Sequence, residues 1–142
     1  MTTTRTATDR SATGSSRGVA LLVTLAALSV LAELWQFVTA GQLFPGDGAL
    51  EYHEAGAIVL HVASGLTLVA AFLASRRGAA PTWLWVLAGV VFALTFVQAA
   101  TGGRDTLWIH VPGAMVVTVG SVWVLAASTG LARGASAARA GA

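Results

Sequence analysis

The sequence of 142 residues contains no cysteine, and only 10% of its residues are charged. The lack of cysteine excludes disulfides, thiolate metal sites, iron–sulfur clusters and cysteine nucleophiles. The shortage of charge is equally informative, because soluble domains carry roughly 25% charged residues. Apolar residues make up 56% of the chain, which is more than a soluble protein of this length can bury. The composition therefore indicates a protein that lies in a lipid bilayer.

Four long apolar segments predict the architecture. We expect transmembrane helices over about 18–40, 54–75, 81–101 and 107–128, each close to the ~20 residues that a helix needs to cross the hydrocarbon core. Together they predict an all-α fold, an integral membrane four-helix bundle over residues 17–130. Segment 1–16 lacks the apolar residues of a core and is expected to be disordered. Segment 131–142 is expected to be a flexible tail.

Lysine is absent, and the eight basic residues are all arginine. Seven of them fall on one side of the predicted membrane, which the positive-inside rule assigns to the cytoplasm. These seven are Arg5, Arg10, Arg17, Arg76, Arg77, Arg133 and Arg139. We therefore expect cytoplasmic N- and C-termini in a multi-pass protein of the bacterial cell (inner) membrane. We expect the lipid bilayer to be the partner of the protein. The sequence does not decide whether the protein forms a homo-oligomer. A net charge of only +2 does not favour binding to nucleic acid.

Two polar motifs occur twice. Gln36 and Gln98 begin the pattern Q-x-x-T-x-G in the first and third predicted helices, and His53 and His110 begin the pattern H-x-x-G-A in the second and fourth. Because polar residues are rare in these segments, the matches favour a duplicated helical hairpin. Both hairpins start on the cytoplasmic side, which predicts two parallel repeats related by an axis along the membrane normal. Such an axis places His53 and His110 at the same depth, near the outer face.

The matched histidines predict a site for haem b. Neutral imidazole is a common axial ligand of haem, and the core of a helix bundle is a common place for a cofactor. His53 and His110 are predicted to ligate one iron, with Gln36 and Gln98 as surrounding hydrogen-bonding groups. Arg104, the one arginine on the outer side, is predicted to pair with a haem propionate. The alternative is that each histidine only forms hydrogen bonds between helices.

Two further ionisable residues lie deeper in the predicted membrane. A charged carboxylate at the bilayer centre costs about 2.5–3.5 kcal/mol, so Glu33 is expected to face the bundle interior or to be protonated. It is a candidate for proton transfer or for contact with a quinone. His61 aligns with Thr118 in the second repeat, so the symmetry does not support it as a ligand of the same haem. It is a candidate for a second haem, a proton relay or a pair with Glu33, with a packing hydrogen bond as the alternative.

The runs EYHEAG at 51–56 and WIHVPG at 108–113 resemble half of a heme A synthase. They resemble even more closely a group of small bacterial four-helix membrane proteins of unassigned function. The resemblance covers about residues 20–128 and implies a b-type cytochrome-like bundle with His53 and His110 as the haem pair. This chain departs from the synthase pattern, since Glu54 stands where the synthase has arginine, and Glu51 lies two residues before His53 instead of a turn. Only one four-helix half is present, so the hydroxylation chemistry is not carried over.

The sequence leaves three functions open. The first is a haem b-binding membrane protein for electron transfer or haem handling, with a redox protein as partner. The second is a cofactor-free accessory subunit or small-solute carrier, which the lack of a recognisable catalytic constellation favours. The third is a quinone-linked membrane oxidoreductase that acts near Glu33. No catalytic residue is assigned in any of the three.

Overall fold

The computed structural model describes residues 3–43 and 47–141, and it is all-α in these residues. The four long helices are α1 (Thr3–Gln42), α2 (Leu50–Arg76), α3 (Thr82–Ala100) and α4 (Leu107–Ala140). Short 3-10 helices, Asp47–Ala49 and Arg104–Thr106, precede α2 and α4. All four long helices contain segments long and apolar enough to cross a membrane. The prediction of an all-α protein with four candidate transmembrane helices is therefore confirmed.

The helix boundaries at the two termini differ from the expected ones. Helix α1 already begins at Thr3, and α4 continues to Ala140, so the helices extend into segments for which we expected disorder or flexibility. Adding residues to an existing helix avoids the cost of nucleation, and the alanines and arginines after Leu131 are good helix formers. Residues 1, 2 and 142 of the two predicted terminal segments lie outside the described residues.

The helices form an antiparallel ring. Helix α1 packs against α2 and α4, and α3 packs against the same two helices. Helices α2 and α4, which carry His53 and His110, are therefore diagonally opposed. We call the end with the α1–α2 and α3–α4 connections the histidine end. At the opposite end, the arginine end, Arg77 lies 3.8 Å from the position that a β-carbon on Gly18 would take.

A tight turn joins α2 to α3 at the arginine end. Gly78 has a φ of 69°, a conformation that glycine adopts without the steric cost of a side chain. Its N–H donates to the carbonyl of Ser75, and the N–H of Ala79 donates to the carbonyl of Ala74, both at 2.9 Å. These two bonds form a Schellman motif, which satisfies carbonyls at the end of α2. Pro81 then caps α3 in an extended conformation.

The helix interfaces are built from small side chains. Leu22, Ala71 and Leu84 are fully buried and belong to a core cluster that is otherwise mainly alanine. Large apolar residues face outward instead, as Ile58 and Val119 do with exposures of 67% and 64%. Small residues at the interfaces let helices approach closely in lipid, where apolar burial no longer drives association. This distribution supports a multi-pass membrane protein whose outer surface contacts lipid.

Candidate functional site

His53 lies in the first turn of α2 and is held by α1. Its Nδ1 lies 2.9 Å from the hydroxyl of Thr39, which also lies 3.0 Å and 3.1 Å from two carbonyls of its own helix. Threonine has one hydroxyl hydrogen, so Thr39 either donates it to one of these carbonyls and accepts from Nδ1–H, or donates it to Nδ1. The Gln36 amide donates to the His53 carbonyl at 3.0 Å. Helix α1 thus positions both the ring and the backbone of His53.

His110 lies in the first turns of α4 and is held by α3. Its Nδ1 lies 3.0 Å from the Gln98 carbonyl. A carbonyl only accepts hydrogen bonds, so Nδ1 carries the hydrogen. The loop after α3 also lies near the His110 ring, since a β-carbon on Gly102 would lie 3.8 Å from its Cε1.

The Nδ1 atoms of the two rings therefore have similar hydrogen-bonding surroundings. In each, an oxygen lies at hydrogen-bond distance from Nδ1, and the tautomer with its hydrogen on Nδ1 leaves the lone pair of Nε2 available. This is the arrangement typical of metal-binding histidine, because the hydrogen bond selects the tautomer and orients the ring. Both rings are half-buried, and both lie at the histidine end of the bundle. The structure thus places at one end the two residues that the matched motifs predicted.

The glutamines of the repeated motifs pack on the glycines of the histidine motifs. A β-carbon on Gly56 would clash with Nε2 of Gln36, and a β-carbon on Gly113 would clash with Nε2 of Gln98. The structure shows that these glycines serve close packing between the helices of each hairpin.

His61 makes a different set of contacts. Its Nδ1 lies 2.7 Å from the carbonyl of Ala57 in the same helix, and its ring packs edge to face against Phe96 with centroids 4.5 Å apart. These contacts place it between α2 and α3. They agree with the packing interpretation, and a role in a second haem or a proton relay stays a prediction.

Glu33 faces the bundle interior, with an exposure of only 3%. Its Oε1 accepts a hydrogen bond of 2.6 Å from the hydroxyl of Ser121. Among the described residues, its Oε2 is buried without a hydrogen-bond partner. The position inside the bundle matches the expectation, while the bond to Ser121 of α4 differs from the suggested pair with His61.

Arg104 begins the 3-10 helix before α4 at the histidine end, and its side chain is exposed. The structure places it three residues before the helix that carries His110. Its predicted pairing with a propionate stays a prediction. Gln36 and Gln98 lie at the same end, and both side chains are partly buried.

The sequence motifs did not predict the hydrogen-bond partners of His53 and Glu33. Thr39 belongs to the repeated Q-x-x-T-x-G pattern, yet the pattern did not identify it as the partner of His53. Ser121 follows His110 by eleven residues, and the spacing did not reveal that it binds Glu33. The periodicity of one helix can predict that Thr39 and Ser121 face the bundle interior. It cannot predict which residues of another helix they contact.

Comparisons of the chain with family models, with curated proteins and with solved structures gave no match. Among the described residues, no group of three or more histidine, aspartate or glutamate side chains is placed to hold a metal ion. The resemblance to half of a heme A synthase therefore stays a prediction, which depends on the two histidine motifs.

Proposed function

We propose that this chain is a b-type haem protein of the membrane, in which His53 and His110 are the two axial ligands of one haem at the histidine end. The observation that carries the proposal is that each ring has an oxygen partner at Nδ1, an arrangement that orients the ring and leaves Nε2 for a metal. Two imidazoles suit a haem in particular, since the porphyrin supplies the other ligands of the iron.

The placement of the rings supports the same proposal. They lie on diagonally opposed helices, and each is anchored by a neighbouring helix of its own hairpin. Such anchors hold a ring in place before a ligand binds. Arg104 at the same end would provide a guanidinium for a propionate. Haem bound here would supply one-electron iron chemistry, which suits electron transfer to a redox protein or the handling of haem.

The proposal includes the symmetry and the orientation of the bundle. Two parallel hairpin repeats would place the histidines at equal depth, and the packing of Gln36 on Gly56 and of Gln98 on Gly113 supports such a duplication. The arginines at the other end favour cytoplasmic termini in a bacterial inner membrane. A quinone-linked role would need an approach from the bilayer to Glu33, whose side chain is only 3% exposed.

An absorption spectrum of the purified full-length protein tests the proposal. After expression with ample haem, we expect a reduced-minus-oxidised difference spectrum with an α band and a shifted Soret band. His53→Ala and His110→Ala should each abolish or strongly change these bands, because each removes an axial ligand. His61→Ala is the matched control, since its Nδ1 also has an oxygen partner but its ring packs against Phe96.

The proposal fails if the wild-type protein shows no haem bands under these conditions. It also fails if both His53→Ala and His110→Ala keep the wild-type spectrum. Size-exclusion chromatography and circular dichroism of each variant show whether the bundle has folded. A folded, colourless wild-type protein that co-purifies with a stable partner would favour the accessory-subunit alternative.

A further inference from the structure

A cleft opens between α1 and α4 at the arginine end, away from the two matched histidines. Its volume is about 310 Å³, near the lower end of the roughly 300–1,000 Å³ that small-molecule sites occupy. Residues of α1 between 16 and 20 line one wall, and residues of α4 between 132 and 136 line the other. None of these residues takes part in the proposed haem site, so the cleft is a separate candidate for binding.

The polar residues of the lining all lie on the outer side of the cleft, away from the middle of the bundle. Helix α1 enters the bundle from the arginine end, so Ser16 and Arg17 lie further out than Ala20. Helix α4 leaves the bundle at the same end, so Ser136 lies further out than Ala132. The outer and inner parts are about 6 Å apart along each helix. A ligand that fits this order has a polar group outside and an apolar part inside.

The cleft lies at the level where the apolar core of the bundle ends. Val19 is buried with an exposure of 4%, whereas Arg17, two residues earlier, is exposed. Arg77 at the end of α2 reaches α1 at the same level, since its Nη1 lies 3.8 Å from the position of a β-carbon on Gly18. In a bilayer, arginines near helix ends extend to the interface. The outer part of the cleft therefore faces the layer of lipid headgroups.

The charge around the cleft is positive. Arg17 belongs to the lining, and Arg133 directly follows a lining residue of α4. The acidic residues other than Asp9 and Glu33 lie at the histidine end, and Glu33 lies deep in the bundle. Asp9 precedes Arg17 in α1 by about 12 Å along the helix. The cleft thus carries guanidinium groups where the sequence provides few carboxylates, which suits an anionic ligand.

A phosphate group is the anion that this cleft fits. The planar guanidinium of Arg17 can form paired hydrogen bonds with two phosphate oxygens. The Ser136 hydroxyl donates to the Ala132 carbonyl at 3.0 Å, so its oxygen can accept from a hydroxyl of the ligand but does not donate to the phosphate. The charge of the phosphate is therefore balanced by arginine.

The inner part of the cleft distinguishes a lipid from a free phosphate. A free phosphate would leave the apolar surface of Val19, Ala20 and Ala132 without a partner, whereas the glycerol backbone and acyl chain of a phospholipid would cover it. A zwitterionic headgroup would bring an ammonium group, for which the lining offers no carboxylate. The combined features favour an anionic phospholipid.

We propose that the cleft between α1 and α4 binds an anionic phospholipid, with its phosphate at Arg17 and its apolar part against Val19, Ala20 and Ala132. Because the two walls belong to different helices, the bound lipid would hold α1 and α4 together at the arginine end. The site does not require haem at the histidine end, and haem binding does not require this site.

Thermal unfolding of the full-length protein in a neutral detergent tests the site. The probe is dioleoylphosphatidylglycerol, added to the micelles at increasing mole fraction. Dioleoylphosphatidylcholine and inorganic phosphate are added in parallel experiments. A ligand that binds only the folded state stabilises it. We therefore expect a saturable rise of the unfolding midpoint with phosphatidylglycerol, and a much smaller rise with phosphatidylcholine or with phosphate.

Two charge variants connect this effect to the cleft. Arg17→Gln should weaken the apparent affinity for phosphatidylglycerol by about tenfold, as expected for the loss of hydrogen bonds to a charged group. Arg76→Gln is the matched control and should keep the wild-type response. It removes the same charge from the same end of the bundle, but Arg76 does not line the cleft. Both side chains are exposed, so both variants should fold.

Two size variants test the inner part of the cleft. Ala132→Leu places a larger side chain where the apolar part of the lipid would lie, so it should also reduce the rise of the midpoint. Ala137→Leu is the matched control and should keep the wild-type response, because Ala137 is exposed on the same helix and does not line the cleft.

Equal rises with phosphatidylglycerol and phosphatidylcholine would overturn the proposal, and an equal rise with inorganic phosphate would overturn the assignment to a lipid. Equal losses in Arg17→Gln and Arg76→Gln would show only a general attraction between charges, which also contradicts the site. If Ala132→Leu does not fold, native mass spectrometry of the wild-type protein and Arg17→Gln decides the matter. No phosphatidylglycerol retained by the wild-type protein, or equal retention by both, would contradict the site.

Discussion

The α1–α2 hairpin and the α3–α4 hairpin hold their histidines through different atoms. In the first hairpin the partner of His53 Nδ1 is the side-chain hydroxyl of Thr39, and in the second the acceptor for His110 Nδ1–H is the backbone carbonyl of Gln98. The hydroxyl of the corresponding Thr101 donates to carbonyls of α3. Similar motifs can therefore orient a ring in the same way while the hydrogen bonds themselves differ.

The second difference concerns the packing around the motif glycines. Gly56 lies under both Gln36 and Trp35, and each of these side chains donates to a backbone carbonyl at the start of α2. The three atoms nearest to a β-carbon on Gly113 all belong to Gln98, whose Oε1 is buried without a partner among the described residues. The first hairpin is thus more tightly constrained, so a side chain added there should cost more.

The largest effect that we expect from this comparison is on stability. In Gly56→Ala the new β-carbon would lie 2.5 Å from the Trp35 ring and would also clash with Gln36. Overpacking of this kind costs about 1–3 kcal/mol. In Gly113→Ala the nearest atoms to the β-carbon belong to the far end of the flexible Gln98 side chain, so the loss should be clearly smaller. Denaturation of both variants in detergent measures the difference.

Gly89→Ala serves as the control for these two variants. Its β-carbon would lie 3.5 Å from Leu68, at an ordinary contact distance, and alanine is a better helix former than glycine. We expect it to be neutral or slightly stabilising. Equal losses in Gly56→Ala and Gly113→Ala would show that the two hairpins are packed alike, against our account.

A smaller effect is expected on haem affinity. Thr39→Val removes the hydrogen-bond partner of His53 Nδ1 and keeps the shape of the side chain. Loss of a hydrogen bond that orients a metal ligand typically weakens binding by 10–100-fold, and for one neutral hydroxyl we expect about tenfold. Thr101→Val is the matched control and should keep the wild-type affinity, since its hydroxyl does not bond to His110.

Haem titration of the two apoproteins, followed by absorbance, measures this effect. Equal affinity in Thr39→Val and in the wild-type protein would show that the hydroxyl does not prepare His53 for iron. A matching loss in Thr101→Val would show that both threonines act only through the general stability of their hairpins.

Much of the fold could be predicted because a bilayer limits the backbone structures that can cross it. Four apolar segments of the right length specify four helices, since every backbone polar group in lipid must be bonded within its own segment. Short connections then require antiparallel neighbours. The ends of α1 and α4 were harder to predict. The apolar content of a segment indicates whether it is buried, but it does not show where a helix ends once it extends beyond the buried part.

The candidate site could be predicted only in part. The matched motifs predicted that His53 and His110 belong together, and the structure places both at the histidine end of the bundle. The atoms that hold the rings could not be predicted, because the choice between the hydroxyl of Thr39 and the carbonyl of Gln98 depends on how far the helices are displaced from each other. The contact between Glu33 and Ser121 joins two helices distant in sequence, which periodicity in one helix cannot reveal.

The spin state of the oxidised iron tests most directly whether His53 and His110 bind the same haem. Two axial imidazoles create a strong ligand field, so electron paramagnetic resonance of the frozen wild-type protein should show low-spin ferric iron. Removal of one ligand in His110→Ala should convert this signal to high spin, while His61→Ala should keep it low spin. A high-spin wild-type protein, or a low-spin signal unchanged in both His53→Ala and His110→Ala, would contradict ligation by this pair.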